Sequence, residues 1–166
     1  MSQTQEQEFI ALIRQHNGMI HKICRMYRDS LEDREDLFQE ITYQLWRSYP
    51  SFDAKAKKST WLYRVALNTA IATFRKKMPE VSYTDVLPDL QLEELNEELA
   101  HRQDRFFAAL KNLDEGDKAL IALYLEELTY LEIAEIMGIK ENYVGVKINR
   151  LKTKIQNEIL RQNGTR

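Results

Sequence analysis

One stretch of the chain carries aromatic, amide and basic side chains at helical spacing. Trp61, Arg64, Asn68 and Arg75 stand at positions i, i+3, i+7 and i+14, which places them on one face of a helix. Such a face can meet a polyanion, because its basic groups neutralise phosphates. Two simpler interpretations stay open at this point: the charges could form a solvated helix surface, and Trp61 could belong to the core.

A second candidate surface lies near the C-terminus, where residues 129–132 (Thr-Tyr-Leu-Glu) match a capping box at the start of a helix. A small residue, a glycine and an apolar residue follow as Ala134, Gly138 and Val144, at offsets of four and six. A helix-turn-helix needs these residue types where its two helices cross and turn. We therefore predict this motif, whose second helix is the one that enters a DNA major groove.

The second helix of the motif divides into a buried face and an exposed face. Val144, Ile148, Leu151 and Ile155 have helical spacing and are predicted to face the core. The outward stripe then consists of Asn142, Tyr143, Val146, Lys147, Arg150 and Lys154. Lysine and arginine can bond either guanine edges or phosphates, and the sequence does not separate these two roles for Lys147 and Arg150.

The charges of the chain are unevenly distributed, although its net charge is only −2. Residues 53–78 have a net charge of +6 and residues 140–166 one of +5, whereas residues 79–104 carry −7. The two basic segments coincide with the two candidate surfaces. This distribution favours binding of a polyanion at two places, with the acidic segment outside both.

The helical spacing of apolar residues predicts the helices that hold the surface around Trp61. Apolar residues over 9–27 have helical spacing with a break at Asn17-Gly18, and a further helix is predicted from about residue 32 to residue 49. A basic loop follows, and Ser59 or Thr60 is predicted to cap the helix that carries Trp61.

The acidic segment separates the two surfaces. Residues 79–91 contain Pro79 and Pro88 and show no sustained helical period, so we predict a linker there. After it, one helix is predicted from about residue 92 to residue 113, and another, capped by Asp114, to about residue 128. The fold class is therefore predicted to be all-α, with two small helical domains joined by a flexible acidic linker.

Composition excludes several other classes of protein. The chain has 5 Gly and 3 Pro, too few for a strand-and-turn architecture, and no apolar run approaches the roughly 18 residues that span a bilayer. The single cysteine, Cys24, and the 3 scattered histidines indicate neither a disulfide nor a metal site. We therefore expect a soluble, cytoplasmic protein without catalytic residues, cofactor or small-molecule substrate.

Three motifs in order make the chain resemble the extracytoplasmic-function (ECF) group of bacterial RNA polymerase sigma factors, within the sigma-70 family. They are Asp-Leu-Phe-Gln-Glu at 36–40 with Leu-Trp at 45–46, Ser-Thr-Trp-Leu-Tyr-Arg-Val-Ala-Leu-Asn-Thr-Ala at 59–70, and Leu-Thr-Tyr-Leu-Glu-Ile-Ala-Glu-Ile-Met-Gly-Ile at 128–139. The resemblance implies a region 2 domain at 1–78, a linker at 79–100 and a region 4 domain at 101–166.

The resemblance also implies a role for each surface. The helix with the first motif would dock on the clamp coiled coil of the largest polymerase subunits, through Asp36, Leu37, Gln39, Glu40 and Tyr43. The opening −10 promoter element would be bound by Phe52, Lys55, Lys57, Lys58, Trp61, Arg64, Asn68 and Arg75. The outward stripe of the helix-turn-helix, Asn142, Tyr143, Val146, Lys147, Arg150 and Lys154, would read the −35 element.

At two places the chain departs from the pattern of this group. Leu67 stands where the group commonly has an arginine before the matching Asn68, and Gly145 replaces a polar residue near the start of the recognition helix. Glycine lowers helix propensity by about 1 kcal/mol relative to alanine and offers no side chain to DNA. Promoter sequences therefore do not carry over from better-known relatives.

The sequence thus predicts a non-catalytic initiation factor whose partners are core RNA polymerase, promoter DNA and an anti-sigma factor. A stand-alone helix-turn-helix regulator is the first alternative, and a helical scaffold that binds neither DNA nor polymerase is the second. The combination of the helix at 36–40 with the helix at 61–68 separates them, because a simple regulator has no use for either.

Overall fold

The computed structural model of the chain describes residues 2–53, 55–76 and 97–164, with the side chains of 74–76 left out. Every regular element within these ranges is a helix, which confirms the all-α prediction. Most of the predicted linker, including both of its prolines, lies outside the described residues.

The N-terminal part consists of four α-helices and one 3₁₀ turn. They are α1 (Gln3–Gln15), α2 (Asn17–Tyr27), α3 (Leu31–Ser48), the 3₁₀ turn Tyr49–Ser51, and α4 (Lys58–Lys76). The break predicted at Asn17-Gly18 is confirmed, since α2 begins at Asn17. The predicted cap of α4 is wrong: the helix begins at Lys58, so Ser59 and Thr60 lie within its first turn.

The N-terminal helices share an apolar core. Ile20, Ile23, Ile41, Leu45 and Leu62 are all at most 1% exposed and come from α2, α3 and α4. The side chains recur at helical spacing, so each helix turns one apolar stripe inward. This core holds α3 and α4 side by side and thereby positions the predicted surfaces on these two helices.

The C-terminal part consists of α5 (Glu97–Leu110), α6 (Glu115–Leu125), α7 (Tyr130–Met137) and α8 (Glu141–Gly164). α5 begins at Glu97, which lies within the helix predicted over residues 92–113 and before the predicted domain boundary at residue 100. Leu92 and Leu95, predicted to belong to the same helix, lie outside the described residues. α6 ends at Leu125, three residues before the predicted position.

The helix starts and ends in this part are set by local hydrogen bonds. The Asp117 amide donates to Asp114 Oδ1 at 2.8 Å, which confirms the predicted cap of α6. The Glu132 amide donates to Thr129 Oγ1 at 3.1 Å, and the Thr129 amide donates to Glu132 Oε1 at 3.4 Å. These reciprocal bonds are the predicted capping box of α7. Gly138 ends α7 with φ 70°, a left-handed conformation that glycine adopts without steric cost.

The N-terminal and C-terminal helices pack directly against each other. α4 lies against α6 and α7, and α2 lies against α5 and α6. Ion pairs cross this contact between Lys22 and Glu126 (3.1 Å), Arg25 and Asp104 (2.5 Å), and Lys111 and Asp29 (3.0 Å). The Tyr27 hydroxyl also donates to the Glu115 carbonyl at 2.7 Å. We call this contact between the two parts the domain seam.

Replacing the cap of α7 tests how much the capping box contributes. Thr129→Ala removes the side-chain acceptor at the helix start and should lower the free energy of unfolding by about 1 kcal/mol. Thr153→Ala makes the same chemical change at an exposed position inside α8 and should leave stability unchanged or slightly raised. Urea unfolding of both variants measures the difference, and equal losses would contradict the assigned cap.

Candidate functional site

α7 and α8 form the predicted helix-turn-helix. Three residues, Gly138 to Lys140, separate the two helices. Ala134 of α7 and Val144 of α8 are 6% and 0% exposed. The burial predicted for Val144, Ile148, Leu151 and Ile155 is confirmed. α8 is therefore held by its apolar face, and its opposite face is directed to solvent.

Most of the outward stripe of α8 is exposed. Tyr143 and Val146 are 48% and 49% exposed. Asn142, Arg150 and Lys154 are exposed as well. Arg150 follows Val146 at i+4, and Lys154 follows Arg150 at i+4, so these three side chains lie along one line of the helix. Such a line can approach a DNA groove without rearrangement of the backbone.

Lys147 is the exception on this stripe, because it is half-buried against α6. Its Nζ forms an ion pair with Asp117 Oδ1 at 3.2 Å. The hydrogen bond and the negative charge of Asp117 raise the pKa of Lys147 above its usual value. The sequence showed only a basic residue here, since its acidic partner is 30 positions away.

Helix packing explains the glycine at position 145, which the sequence alone did not explain. A Cβ at this position would lie 3.3 Å from Cε2 of Tyr130, the first residue of α7. The absence of a side chain thus lets the Tyr130 ring lie close against α8. We infer that glycine at position 145 belongs to the packing of the two helices.

The predicted surface on α4 combines a basic loop with the start of that helix. Lys55, Lys57 and Lys58 are exposed, as is Asn68 further along the helix. Trp61 is half-buried, with its ring centroid 5.2 Å from that of Phe52 and 6.0 Å from that of Tyr49. Both interpretations of Trp61 thus have support, because it packs on the N-terminal core and still reaches solvent. The side chain of Arg75 is outside the described residues.

Arg64 lies on the same helix but is engaged across the domain seam. Its Nε donates to the Ile136 carbonyl at 3.2 Å, and a terminal nitrogen donates to the Glu135 carbonyl. Both acceptors belong to the last turn of α7, where helix carbonyls have no partner within the helix. The guanidinium therefore caps the C-terminal end of α7, the partially negative end of that helix.

The third surface lies on α3. Asp36, Gln39 and Tyr43 are exposed and Glu40 is partly exposed, so these four form an accessible stripe. Leu37 needs a correction: it is 3% exposed and faces the core, so it supports the stripe and does not itself reach a partner.

An apolar groove of about 360 Å³ borders this stripe. It is lined by Phe9, Phe38, Gln39, Thr42, Tyr43 and Trp46. Tyr43 is 55% exposed and Trp46 38% exposed, so the groove presents aromatic surface to solvent. The groove was not predicted from the sequence, although Tyr43 and Trp46 stand at i, i+3 on a polar helix face, a spacing that indicates exposed aromatic surface. The α3 stripe and this groove together form one amphipathic surface.

In the described parts of the chain, no group of three or more histidine, cysteine, aspartate or glutamate side chains is arranged to hold a metal ion. In those same ranges, no helix is long and apolar enough to cross a bilayer.

Comparisons with known proteins agree with the geometry. The sequence model of Sigma-70 region 2 matches residues 12–79, and that of Sigma-70 region 4 matches residues 103–155. The ECF RNA polymerase sigma-E factor of Haemophilus influenzae is 32% identical over 96% of this chain and 91% of its own length. The ECF RNA polymerase sigma factor SigW of Bacillus subtilis is 26% identical over 91% of this chain and 88% of its own.

Solved structures show the same fold at lower identity. CnrH, in complex with the cytosolic domain of CnrY, superposes with a TM-score of 0.68 at 20% identity and covers 92% of this chain. The sigma factor RpoE of Bartonella quintana, in complex with the anti-sigma factor NepR, gives 0.68 at 16% identity and also covers 92%. With both region models matched in order and a relative 32% identical over almost its whole length, the chain belongs to the ECF group of RNA polymerase sigma factors.

Proposed function

We propose that the chain initiates transcription by binding core RNA polymerase and directing it to promoters through −10 and −35 elements. Directing the polymerase is the general role of the family to which the chain belongs. One observation supports the proposal that the chain recognises −10 and −35 elements. A single chain combines an amphipathic α3 surface with a basic α4 surface and a helix-turn-helix. A stand-alone regulator needs only the last of these. Nucleotide chemistry would belong to the polymerase.

The α3 surface is complementary to a helical partner that carries basic side chains next to a row of exposed apolar side chains. Asp36 and Glu40 lie at i, i+4 on the helix and give it an acidic edge. The neighbouring groove can take an apolar side chain, and buried aromatic surface supplies much of the energy of protein interfaces. The charges would steer and orient the partner, whereas the groove would retain it. We assign this surface to the clamp of core polymerase.

The α4 surface suits a strand of DNA that is leaving its duplex. Lys55, Lys57 and Lys58 would follow the phosphates, because they are exposed and adjacent. Phe52 and Trp61 form an aromatic pair with their ring centroids 5.2 Å apart, on which an unstacked base could be held. Holding a base outside the duplex favours the open form. We assign this surface to the −10 element, together with Arg64, Asn68 and Arg75.

The outward face of α8 suits duplex DNA. Its exposed residues include polar, aromatic and basic groups, as in recognition helices that lie in the major groove. Arg150 is the best candidate for base reading, because arginine can pair bidentately with guanine. We assign this face to the −35 element. The functional domains would then be 1–78 and 101–166. Residues 97–100 form the first turn of α5 and would extend the second domain by that turn.

An anti-sigma factor is the regulatory partner that we propose. CnrH and RpoE, whose folds match this chain, were solved in complex with the cytosolic domain of CnrY and with the anti-sigma factor NepR. We propose a similar partner for this chain, acting where the polymerase acts, in the cytoplasm. Apolar surface next to acidic side chains on α3 gives such a partner a place to compete with polymerase.

Run-off transcription tests the proposed function as a whole. Purified chain is added to core RNA polymerase with fragments of genomic DNA as templates, and defined transcripts should appear only when both are present. A regulator that acts without being a polymerase subunit would instead bind promoter DNA in the absence of polymerase and retard it in a native gel. Absence of any chain-dependent transcript over the genome would refute the proposal.

Reversing the acidic edge of α3 tests the polymerase surface. Asp36→Arg combined with Glu40→Arg should abolish co-purification with core polymerase, because two attractive charges become repulsive towards a basic partner. Both residues are accessible, so the circular dichroism spectrum and the unfolding midpoint should change little. Glu6→Arg with Glu97→Arg makes the same change of charge elsewhere and should leave binding intact. Equal binding by both double variants would refute the assignment.

Removing Arg150 tests base reading by α8. Arg150→Ala should weaken binding to the −35 element by about 1 to 3 kcal/mol and relax the preference at one base pair. Arg161→Ala, on the same helix but bonded to Glu158, is the matched control and should leave the preference unchanged. Binding to a set of single-base variants of the element measures both effects. An equal loss on every sequence would make Arg150 a phosphate contact.

A further inference from the structure

Val146 is an apolar side chain on an otherwise polar line of α8. It is 49% exposed, and its neighbours one turn away on that line, Asn142 and Arg150, are exposed polar residues. Valine is a poorer helix former than lysine, glutamine or arginine, and outside the core it gains little from burial. Neither helix formation nor core packing therefore accounts for a valine at this position.

The residues on either side of Val146 leave it unobstructed. Gly145 has no side chain, and Lys147 is directed to α6, where its Nζ lies 3.2 Å from Asp117 Oδ1. A valine within a helix adopts one χ1 rotamer in about 90% of cases, so its two methyl groups are held in a nearly fixed position. α8 thus presents a small, rigid apolar contact within its exposed line.

Duplex DNA offers one apolar group to such a contact. In the major groove the edges of adenine, guanine and cytosine present hydrogen-bond donors and acceptors, whereas thymine adds a C5-methyl group. A valine placed against donors or acceptors would remove water from them without replacing their hydrogen bonds, which is unfavourable. A valine placed against a thymine methyl would remove apolar surface from water on both sides of the contact.

We propose that Val146 selects a thymine in the −35 element through contact between its methyl groups and the thymine C5-methyl. This inference rests on the assignment of α8 to the −35 element in the function proposed above. Val146 and Arg150 stand at i and i+4, which separates them by about 6 Å along the helix axis. Successive base pairs are about 3.4 Å apart, so the thymine is expected within about two base pairs of the one that Arg150 contacts.

Removing the thymine methyl groups one at a time tests this contact. Each thymine of the −35 element, on either strand, is replaced by deoxyuridine, which lacks only the C5-methyl. Promoters obtained by run-off transcription supply the element, and binding is measured with the full chain in complex with core polymerase. At one thymine, loss of the methyl should weaken binding about fourfold, the effect expected for one buried methyl group.

Two variants show whether Val146 is responsible. Val146→Ala should bind the thymine and deoxyuridine forms of that position equally, because the contact is already absent. Alanine is the better helix former, so loss of α8 does not explain a weaker complex. Leu160→Ala shortens another aliphatic side chain of α8, which is 66% exposed, and should retain the sensitivity to the methyl.

The outcomes separate this inference from the proposed function. Equal sensitivity of the unaltered chain and Val146→Ala at every thymine, or no sensitivity in either, would overturn the contact and leave the initiation function standing. If no chain-dependent transcript forms, the initiation function fails, and the same comparison is made on duplexes that the full chain selects from a random pool. Failure to select any duplex would overturn the thymine contact as well.

Discussion

α4 is packed from two sides, and the arrangement of the whole chain depends on that constraint. Leu62 and Ala66 are fully buried and complete the N-terminal core, whereas Tyr63 on the adjoining face contributes to the domain seam. A helix that serves two neighbours has only a narrow strip left for solvent. Asn68 lies in that strip, and Arg64 at its edge reaches across to α7. The α4 surface and the helix-turn-helix are therefore in direct contact.

The parts of the structure that the sequence predicted well are those that depend on nearby residues. The Thr129–Glu132 capping box, the turn at Gly138 and the buried face of α8 each rest on residues within a few positions of one another. Capping bonds, left-handed glycines and the helical period are local properties of the chain, so they can be read without knowledge of the fold. Helix ends were less well predicted. The start of α4 shows why: Ser59 and Thr60 are residue types that favour a cap, but they lie inside the helix, which begins at Lys58.

The parts that could not be predicted are bonds between distant residues. The sequence shows that Arg64 and Lys147 are basic, but it does not show that their acceptors are the end of α7 and Asp117. The same holds for Gly145, whose place in the structure depends on the ring of Tyr130. The groove on α3 is a related case, because Phe9 comes from another helix and only the fold brings it beside Trp46. Such pairings depend on tertiary packing, and a single sequence contains no direct record of them.

The internal bonds of Arg64 and Lys147 reduce the number of basic side chains that are available to phosphates. The basic segments of +6 and +5 suggest many cations available to phosphates, yet Arg64 and Lys147 already have acceptors within the protein. If these residues contact DNA as proposed, each contact would exchange one partner for another, so the net gain from each would be smaller than for a free cation. Random DNA that meets one surface at a time would have little advantage over the internal acceptors. A promoter that engages several surfaces together would have more, because the contacts made in one complex reinforce each other. The internal bonds of Arg64 and Lys147 would in this way favour binding to promoters over general attraction to nucleic acid.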